Sequence, residues 1–147
     1  MQYNKPLLAA LLGALSTISS EIVSRILLFI GIGTYSIYQL ESLLITLNRP
    51  NAFLGFYLDC IIGGVVGIIF YYSIKFLGED YLVYKSIFVG LLASALSELL
   101  ISIFIEDKYI PIRPIEDYFL HIFCAMIFGL TLGILFNNYL FKKTQRA

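Results

Sequence analysis

YFLHIFCAMIFGLTLGILFNNYLF, residues 118–141, is the stretch of sequence that decides the fold of this chain. It contains no Asp, Glu, Lys or Arg, and His121 is its one imidazole. A helix of about 20 apolar residues is long enough to cross the hydrocarbon core of a bilayer. The stretch therefore predicts a membrane-spanning helix.

The composition of the whole chain agrees with this prediction. Of the 147 residues, 59% are hydrophobic and 14% are charged, against about 25% charged residues in ordinary soluble domains. A soluble chain this short would have to cover most of its surface with polar side chains, so a soluble enzyme is excluded. Ten basic residues balance ten acidic ones. Without a basic excess, nucleic acid is not expected as a partner, and the expected surroundings are a lipid bilayer.

Hydropathy predicts one all-α transmembrane domain over residues 1–147, built as an integral membrane four-helix bundle. The four predicted spans are residues 6–31, 52–77, 84–105 and 115–141. Between the first two spans, residues 35–48 place Leu40 and Leu44 at helical spacing, with polar residues between them. This pattern predicts a short amphipathic helix that lies in the membrane interface.

Basic residues are shared unevenly between the two sides of the predicted bundle. Six lie at the N-terminus, in the second loop and at the C-terminus: Lys5, Lys75, Lys85, Lys142, Lys143 and Arg146. Three lie in the first and third loops: Arg49, Lys108 and Arg113. Because cytoplasmic segments carry the excess of Lys and Arg, we expect both termini in the cytoplasm of a bacterial cell, with the chain in the inner membrane. The first apolar run is too long for the hydrophobic part of a signal peptide and is expected to remain as a span.

The two halves of the chain resemble each other. Alignment of the third span on the first and of the fourth on the second matches the following pairs: Gly13 with Gly90, Ser20 with Ser97, Glu21 with Glu98, Asp59 with His121, Gly63 with Ala125 and Gly67 with Gly129. The pattern predicts a duplicated helical hairpin whose halves are related by a pseudo-two-fold axis along the membrane normal. The alternative is chance similarity between apolar helices built from few residue types.

Small residues form a stripe along each span. Membrane helices associate where small residues let their backbones approach closely, so the pairs Gly63-xxx-Gly67 and Gly129-xxx-Gly133 are expected at helix contacts. The ionisable residues of the spans lie on the same stripes. This placement turns them towards the interior of the bundle.

Four ionisable side chains fall at a similar depth when about 1.5 Å of helix rise is counted per residue from the outer span ends. The candidate proton or ion site is Glu21, Asp59, Glu98 and His121, with Arg25, Ser20, Ser97 and Asp117 as supporting residues. Charged groups inside a span are costly, and those that persist pair with one another or serve a pathway.

A structural interpretation of this layer needs only local pairs. Glu21 would pair with Arg25 one helical turn later, and Asp117 would accept a hydrogen bond from the ring of His121. Cys60 and Cys124 would be reduced packing residues. For Arg25 the alternative role is attraction of an anion into a wet vestibule.

Two functional interpretations compete with the structural one. In the first, the carboxylates take up and release a proton or a cation as the helices move. In the second, a divalent metal is bound, with Asp59, Glu98 and His121 as candidate ligands. The metal signal is weak because the Glu-x-x-His spacing of di-iron bundles is missing, and no other cofactor is predicted.

Three motifs give the chain a resemblance to other proteins: Gly31-Ile32-Gly33 after the first span, Leu54-Gly55 with the Gly63–Gly67 run in the second, and Ile127-Phe128-Gly129-Leu130 in the fourth. They resemble a group of uncharacterised small four-span bacterial inner-membrane proteins over nearly the whole chain. The resemblance implies no activity, and no functional residue is carried over.

The expected function therefore depends on the residues alone. The first hypothesis is proton- or cation-linked movement of a small solute by a homo-oligomer, since four short-looped helices make a thin wall around a pathway. The second is a non-catalytic accessory or scaffold subunit of a partner membrane protein. The third is a membrane metalloenzyme, although an enzyme is the less favoured class.

Overall fold

A computed structural model of the protein, in which residues 4–141 are described, is helical apart from short connections. The helices are α1 (Lys5–Phe29), α2 (Ile37–Thr46), α3 (Ala52–Leu77), α4 (Leu82–Phe104) and α5 (Ile115–Phe136), and a π-helical turn (Asn137–Phe141) continues α5. Helices α1, α3, α4 and α5 with its extension are long and apolar enough to cross a membrane. The predicted all-α, four-span fold is confirmed. Three basic residues used to predict orientation, Lys142, Lys143 and Arg146, lie outside the described residues.

Local sequence explains where the first three helices begin. The side chain of Asn4 accepts a hydrogen bond from the backbone N–H of Leu7 at the start of α1. Ser36 and Gln39 form a reciprocal capping box at the start of α2, and Asn51 accepts from two backbone N–H groups at the start of α3. Such side chains satisfy the N–H groups that the first turn of a helix leaves unpaired.

The spans are arranged in the order α3, α1, α5, α4, with extensive packing between each neighbouring pair. Helices α3 and α4, at the two ends of this row, make few contacts with each other. Helix α4 is accordingly the least buried of the four spans. The bundle is therefore loosely closed along the line between α3 and α4.

Glycines mediate the tightest contacts, and they do so at matching positions of the two hairpins. A Cβ atom on Gly13 in α1 would collide with the backbone of Gly63 and approach that of Gly67 in α3. In the second hairpin, a Cβ atom on Gly90 in α4 would meet the backbone of Gly129 in α5. Because Gly13 matches Gly90 and Gly67 matches Gly129 in the sequence repeat, these close contacts fall at matching positions of the two hairpins. The packing between the hairpins is unequal, since α1 packs closely on α5 whereas α3 and α4 make few contacts.

The predicted short helix is present as α2, and it buries more than the apolar face that its sequence pattern suggests. Leu40 and Leu43 are buried, and so are the polar residues Glu41 and Ser42. The backbone of Tyr38 lies directly against Gly55 of α3, where there is no room for a side chain. Helix α2 is therefore packed into one end of the bundle, and it carries a carboxylate inwards.

Two apolar clusters fill the interior. The larger one contains Phe70, Leu132 and Phe136 and is built from α1, α3, α4 and α5. The smaller one contains Leu43 and Ile101 and joins α2 to the end of α4. The ionisable side chains of the interior belong to neither cluster. Their hydrogen-bond and ion-pair partners therefore determine which ligands the interior can bind.

Candidate functional site

An internal cavity of about 70 Å³, here called the polar cavity, is lined by side chains from all five helices. Its polar lining includes Glu41 of α2, Asp59 of α3, Ser94 and Ser97 of α4, and His121 of α5. At roughly 30 Å³ per molecule, this volume is room for about two waters. A small cation with one water would fit equally well.

Two carboxylate residues that line the polar cavity each have one oxygen that is left unpaired. Neither Oδ2 of Asp59 nor Oε2 of Glu41 has a hydrogen-bond partner within residues 4–141. Both residues are buried, with 7% of their surface exposed. A buried carboxylate without a partner is unfavourable unless it is protonated or meets a cation. The polar cavity is therefore suited to hold a proton or a cation.

The protonation of Glu41 is set by its burial. Burial raises the pKa of Glu41 to about 7, and the negative charge of Glu98 acts in the same direction, whereas the Ser97 hydroxyl and the His121 ring lower it. A carboxyl group with this pKa gains and loses its proton near neutral pH. The pKa of Glu41 therefore lies closer to neutral pH than that of an ordinary glutamate.

A second group of charges lies beside the polar cavity and reaches into the loop between α4 and α5. Arg113 Nη2 donates to Glu98 Oε2 at 2.6 Å, and the backbone N–H of Arg113 donates to Glu106 Oε1 at 2.7 Å. The Tyr118 hydroxyl also donates to Glu106, and the Arg113 guanidinium lies 4.7 Å from the centre of the Tyr118 ring. Burial alone would raise the pKa of Glu106, but the Arg113 N–H, the Tyr118 hydroxyl and the Arg113 charge hold that pKa below its ordinary value.

His121 links this charged group to the polar cavity. Its Nδ1 lies 2.6 Å from Glu98 Oε1, and its Nε2 lies 3.2 Å from the backbone carbonyl of Tyr35. A carbonyl only accepts hydrogen bonds, so Nε2 carries a hydrogen. The contact between Nδ1 and Glu98 then requires one more proton, either on the imidazole or on the carboxyl group. His121 and Glu98 therefore share a proton at the wall of the polar cavity.

The predicted hydrogen bond from His121 to Asp117 is wrong. Asp117 Oδ1 accepts from the backbone N–H of Thr34, in the connection between α1 and α2. Gly33 adopts a φ of 92° there, and a Cβ atom on it would press against Asp117. The spacing of one turn on α5 puts His121 and Asp117 on the same face, but Glu98 of the neighbouring helix is the closer partner for the ring.

Glu21 is paired, and it supports α2. Its Oε1 accepts from Arg25 Nε at 2.7 Å, so the pair that helical spacing favours is present. Its Oε2 accepts from the backbone N–H of Tyr38 at 3.0 Å and from the Ser24 hydroxyl at 3.2 Å. Ser20 lines the polar cavity. The carboxylate of Glu21 thus anchors the first turn of α2, while the cavity wall on this side is Ser20.

The four residues predicted as one layer consequently divide into three situations. Glu98 and His121 are in direct contact. Asp59 shares the polar cavity with His121. Glu21 contacts the start of α2 instead. The prediction missed Glu41, which lines the same cavity as Asp59 and His121.

Two signals in the sequence pointed to the residues that were missed. Glu41 is the one carboxylate in the short helix, between Leu40 and Leu44, and a charge so close to the apolar face of a helix is unusual. Arg113 lies between Pro111 and Pro114, which stiffen the loop. Which carboxylates these two residues meet depends on how the loops fold back, and no sequence pattern reports that.

The described residues do not form a site for the predicted divalent metal. Among the residues that the structure describes, no group of three or more His, Cys, Asp or Glu side chains could hold a metal ion. Of the candidate ligands, Glu98 uses its two carboxylate oxygens to contact Arg113 and His121. Asp59 is then the one carboxylate of the candidate set that remains for a metal. Cys60 and Cys124 are free thiols. The geometry of residues 4–141 thus favours a proton or a cation held by few direct ligands over a coordinated divalent metal.

No family model, curated protein or solved structure matches this chain. The comparisons therefore supply no activity, substrate or partner. Four apolar helices of spanning length are what a small multi-pass membrane protein has. Any finer function has to be argued from the polar cavity and its neighbours.

Proposed function

We propose that this protein binds a proton or a small cation in the polar cavity and moves it across the membrane. The observation that carries the proposal is that Asp59 and Glu41 both line one small cavity and each have a buried carboxylate oxygen without a partner among the described residues. Ionisable residues within spans that face a cavity commonly mark the path of an ion or a proton.

The neighbours of the polar cavity support proton exchange. Burial raises the pKa of Glu41 to about 7, and His121, which also lines the cavity, contacts Glu98 at 2.6 Å. Glu98 is paired with Arg113 of the α4–α5 loop. Protonation of Glu98 would weaken this pair, so the loop and the cavity are coupled through one carboxylate.

The proposal also covers the membrane in which the chain lies and its assembly with other chains. We place the chain in the bacterial inner membrane with both termini in the cytoplasm, because the basic residues are concentrated at the termini and in the α3–α4 turn. We further propose that a second copy of the chain, or a partner membrane protein, packs on the bundle. The support is that α3 and α4 close the bundle loosely, so a single copy has a thin wall on that side.

An accessory or scaffold subunit is the second candidate. It is favoured by the complete pairing of Glu21 with Arg25 and of Glu98 with Arg113 and His121. Groups paired in this way fix the register of helices without any movement of ions. Under this alternative, the variants below leave the partner assembly active.

The experiment that tests the proposal is a flux assay with purified protein in liposomes that contain either a pH-sensitive or a sodium-sensitive dye. A potassium diffusion potential drives proton or sodium entry, and each dye reports one of the two ions. We expect wild-type protein to conduct and Asp59→Asn or Glu41→Gln to reduce the rate at least about tenfold, since each removes one of the two cavity carboxylates. Asp80→Asn is the matched control, because Asp80 is an exposed carboxylate in the α3–α4 turn.

Rates that equal those of empty liposomes would overturn the proposal. So would wild-type rates in both cavity variants, provided that the variants elute as folded protein. In either case the accessory role becomes the better account. Equal loss in Asp80→Asn would also count against the proposal, because it would show that any lost carboxylate has the same effect.

A further inference from the structure

The polar cavity is not sealed on the side between α3 and α4. Ile62 of α3 and Ala93 and Ser97 of α4 line the cavity and are nevertheless only partly buried. The two helices make few contacts with each other along this line. In a bilayer, an opening between two spans faces lipid tails. A ligand that is soluble in the membrane could therefore reach the cavity carboxylates from the side.

The same gap continues away from the polar cavity as an apolar crevice of about 300 Å³. Phe70 and Ile74 of α3 and Val89 of α4 belong to its lining. Val66 and Gly90, which line the polar cavity, are one helical turn from Phe70 and next to Val89. The apolar crevice and the polar cavity thus lie end to end between α3 and α4.

The charges at the two ends of this combined space are opposite. At one end are the unpaired oxygens of Asp59 and Glu41. At the other end is Lys85, whose Nζ donates to the carbonyls of Leu77 and Gly78 at 2.8 and 2.9 Å. A cationic head is attracted by the first end and repelled by the second, so an elongated cation has one preferred direction.

We propose that the ligand of the polar cavity is an amphiphilic ammonium, with its charged head between Asp59 and Glu41 and its hydrocarbon tail in the apolar crevice. This inference rests on the proposed function and names the class of substrate. A primary ammonium has three N–H donors, which match the two unpaired carboxylate oxygens and the hydroxyl of Ser94 or Ser97. Its tail matches the apolar lining of the crevice, which an inorganic ion cannot do.

The test uses n-octylammonium and the full-length chain in lipid nanodiscs, with empty nanodiscs as the baseline for partitioning into lipid. Binding is measured by isothermal titration and by native mass spectrometry. We expect saturable binding that is weakened at least about tenfold in Asp59→Asn and in Glu41→Gln, because the head loses a charged partner. Asp80→Asn should bind as the wild type does. Uncharged n-octanol should show no saturable binding.

The role of the crevice is tested with a second variant and a shorter ligand. Val89→Trp fills the crevice without altering the carboxylates, and we expect it to weaken n-octylammonium but not n-butylammonium. Binding that equals the empty nanodiscs, saturable binding of n-octanol, or unchanged binding in Asp59→Asn would each overturn the inference.

If the flux of protons is present and sensitive to Asp59→Asn while n-octylammonium does not bind, the substrate class is wrong and the proposed function stands. If n-octylammonium binds but no flux is found, the binding site stands and the proposed transport is wrong.

Discussion

Carboxylates inside this bundle are of two kinds, and the difference lies in their partners. Glu21, Glu98 and Glu106 accept hydrogen bonds from cations, hydroxyls or backbone N–H groups. Glu41 and Asp59, which line the polar cavity, each keep one oxygen without a partner in the described part of the chain, as does Asp117 outside that cavity. The first kind holds helices and loops together, and the second defines the polar cavity. Substitutions in the two groups should therefore have different effects.

Glu41 should make stability depend on pH between about 4.5 and 7. Its pKa rises from an ordinary 4.5 to about 7 on folding, by burial and by the charge of Glu98, against the effects of Ser97 and His121; Asp59 faces it from α3. The folded protein therefore binds more protons than the unfolded chain in this range. Its contribution is complete below pH 4.5 and is lost as the pH rises through 7, by roughly 3 kcal/mol for a shift of this size. Free energies of unfolding in mixed micelles at about pH 4.5 and pH 8 measure it.

The control for this prediction is Glu41→Gln, which keeps the shape of the side chain and has no proton to lose. We expect its unfolding free energy to vary less with pH than that of the wild type. If the two proteins lose the same stability over this range, another group is responsible and the prediction is wrong.

Arg113 should be the most sensitive single position in the charged group. Its side chain is buried and pairs with Glu98 at 2.6 Å, with Glu106 at 3.5 Å on its other side. Removal of one partner of a buried ion pair costs about 3–5 kcal/mol, because the other charge is left uncompensated. We expect Arg113→Gln to lose about this much in unfolding titrations. The double variant Arg113→Gln with Glu98→Gln should recover part of the loss, and a double variant that is no more stable than the single one would contradict the assignment.

Helix pairing in this protein depends on close backbone contact at glycine. In α3, a Cβ atom on Gly67 would collide with the backbone of Ala9, whereas a Cβ atom on Gly64 meets nothing nearer than 3.5 Å among the described residues. The two glycines thus differ in their space although they lie on the same helix. Gly129 has the corresponding role in α5, where its contact is the backbone of Ile87.

Gly67→Ala should therefore destabilise the first hairpin, and Gly64→Ala is its matched control. We expect a loss of about 1–3 kcal/mol for Gly67→Ala, because the helices have to move apart. Gly64→Ala should be neutral or more stable by up to about 1 kcal/mol, since Ala is the better helix former. Unfolding titrations of the two variants decide the matter, and equal effects would mean that glycine contact does not hold α1 against α3.

The position of the short helix α2 can be predicted from its sequence, but the direction in which it turns Glu41 cannot. Its position follows from apolar spacing and from the capping box at Ser36. A helix of ten residues is not stable by itself, and here it is held by Glu21 at its first turn and by Gly55 beneath Tyr38. Because these contacts come from α1 and α3, the inward direction of Glu41 could not be derived from the α2 sequence.

The whole molecule has two distinct ends, and the distribution of Lys and Arg predicts which one is cytoplasmic. Single cysteines at Glu79 and Lys108, in a chain with Cys60→Ala and Cys124→Ala, test this with a membrane-impermeant maleimide. We expect Lys108→Cys to be labelled in intact bacterial cells and Glu79→Cys only after the membrane is permeabilised. The reverse pattern would place the α4–α5 loop and Arg113 on the cytoplasmic side.

Some properties of this protein are determined by its sequence alone. The number of spans, their approximate limits and the matching of the two hairpins depend on the length of apolar runs and on the spacing of small residues along single helices. These are local quantities, so residues 118–141 predict a span without knowledge of any neighbour.

The partners of the charges are decided by the tertiary structure. His121 binds Glu98 and not Asp117 because α4 lies beside it, and Arg113 reaches Glu98 because the α4–α5 loop folds back over the bundle. The polar cavity likewise exists because α2 brings Glu41 to the same space as Asp59 while α3 and α4 make few contacts with each other. Electrostatic and hydrogen-bond energies depend on distances of a few ångströms between groups far apart in the chain. Those distances cannot be derived from helical periodicity alone.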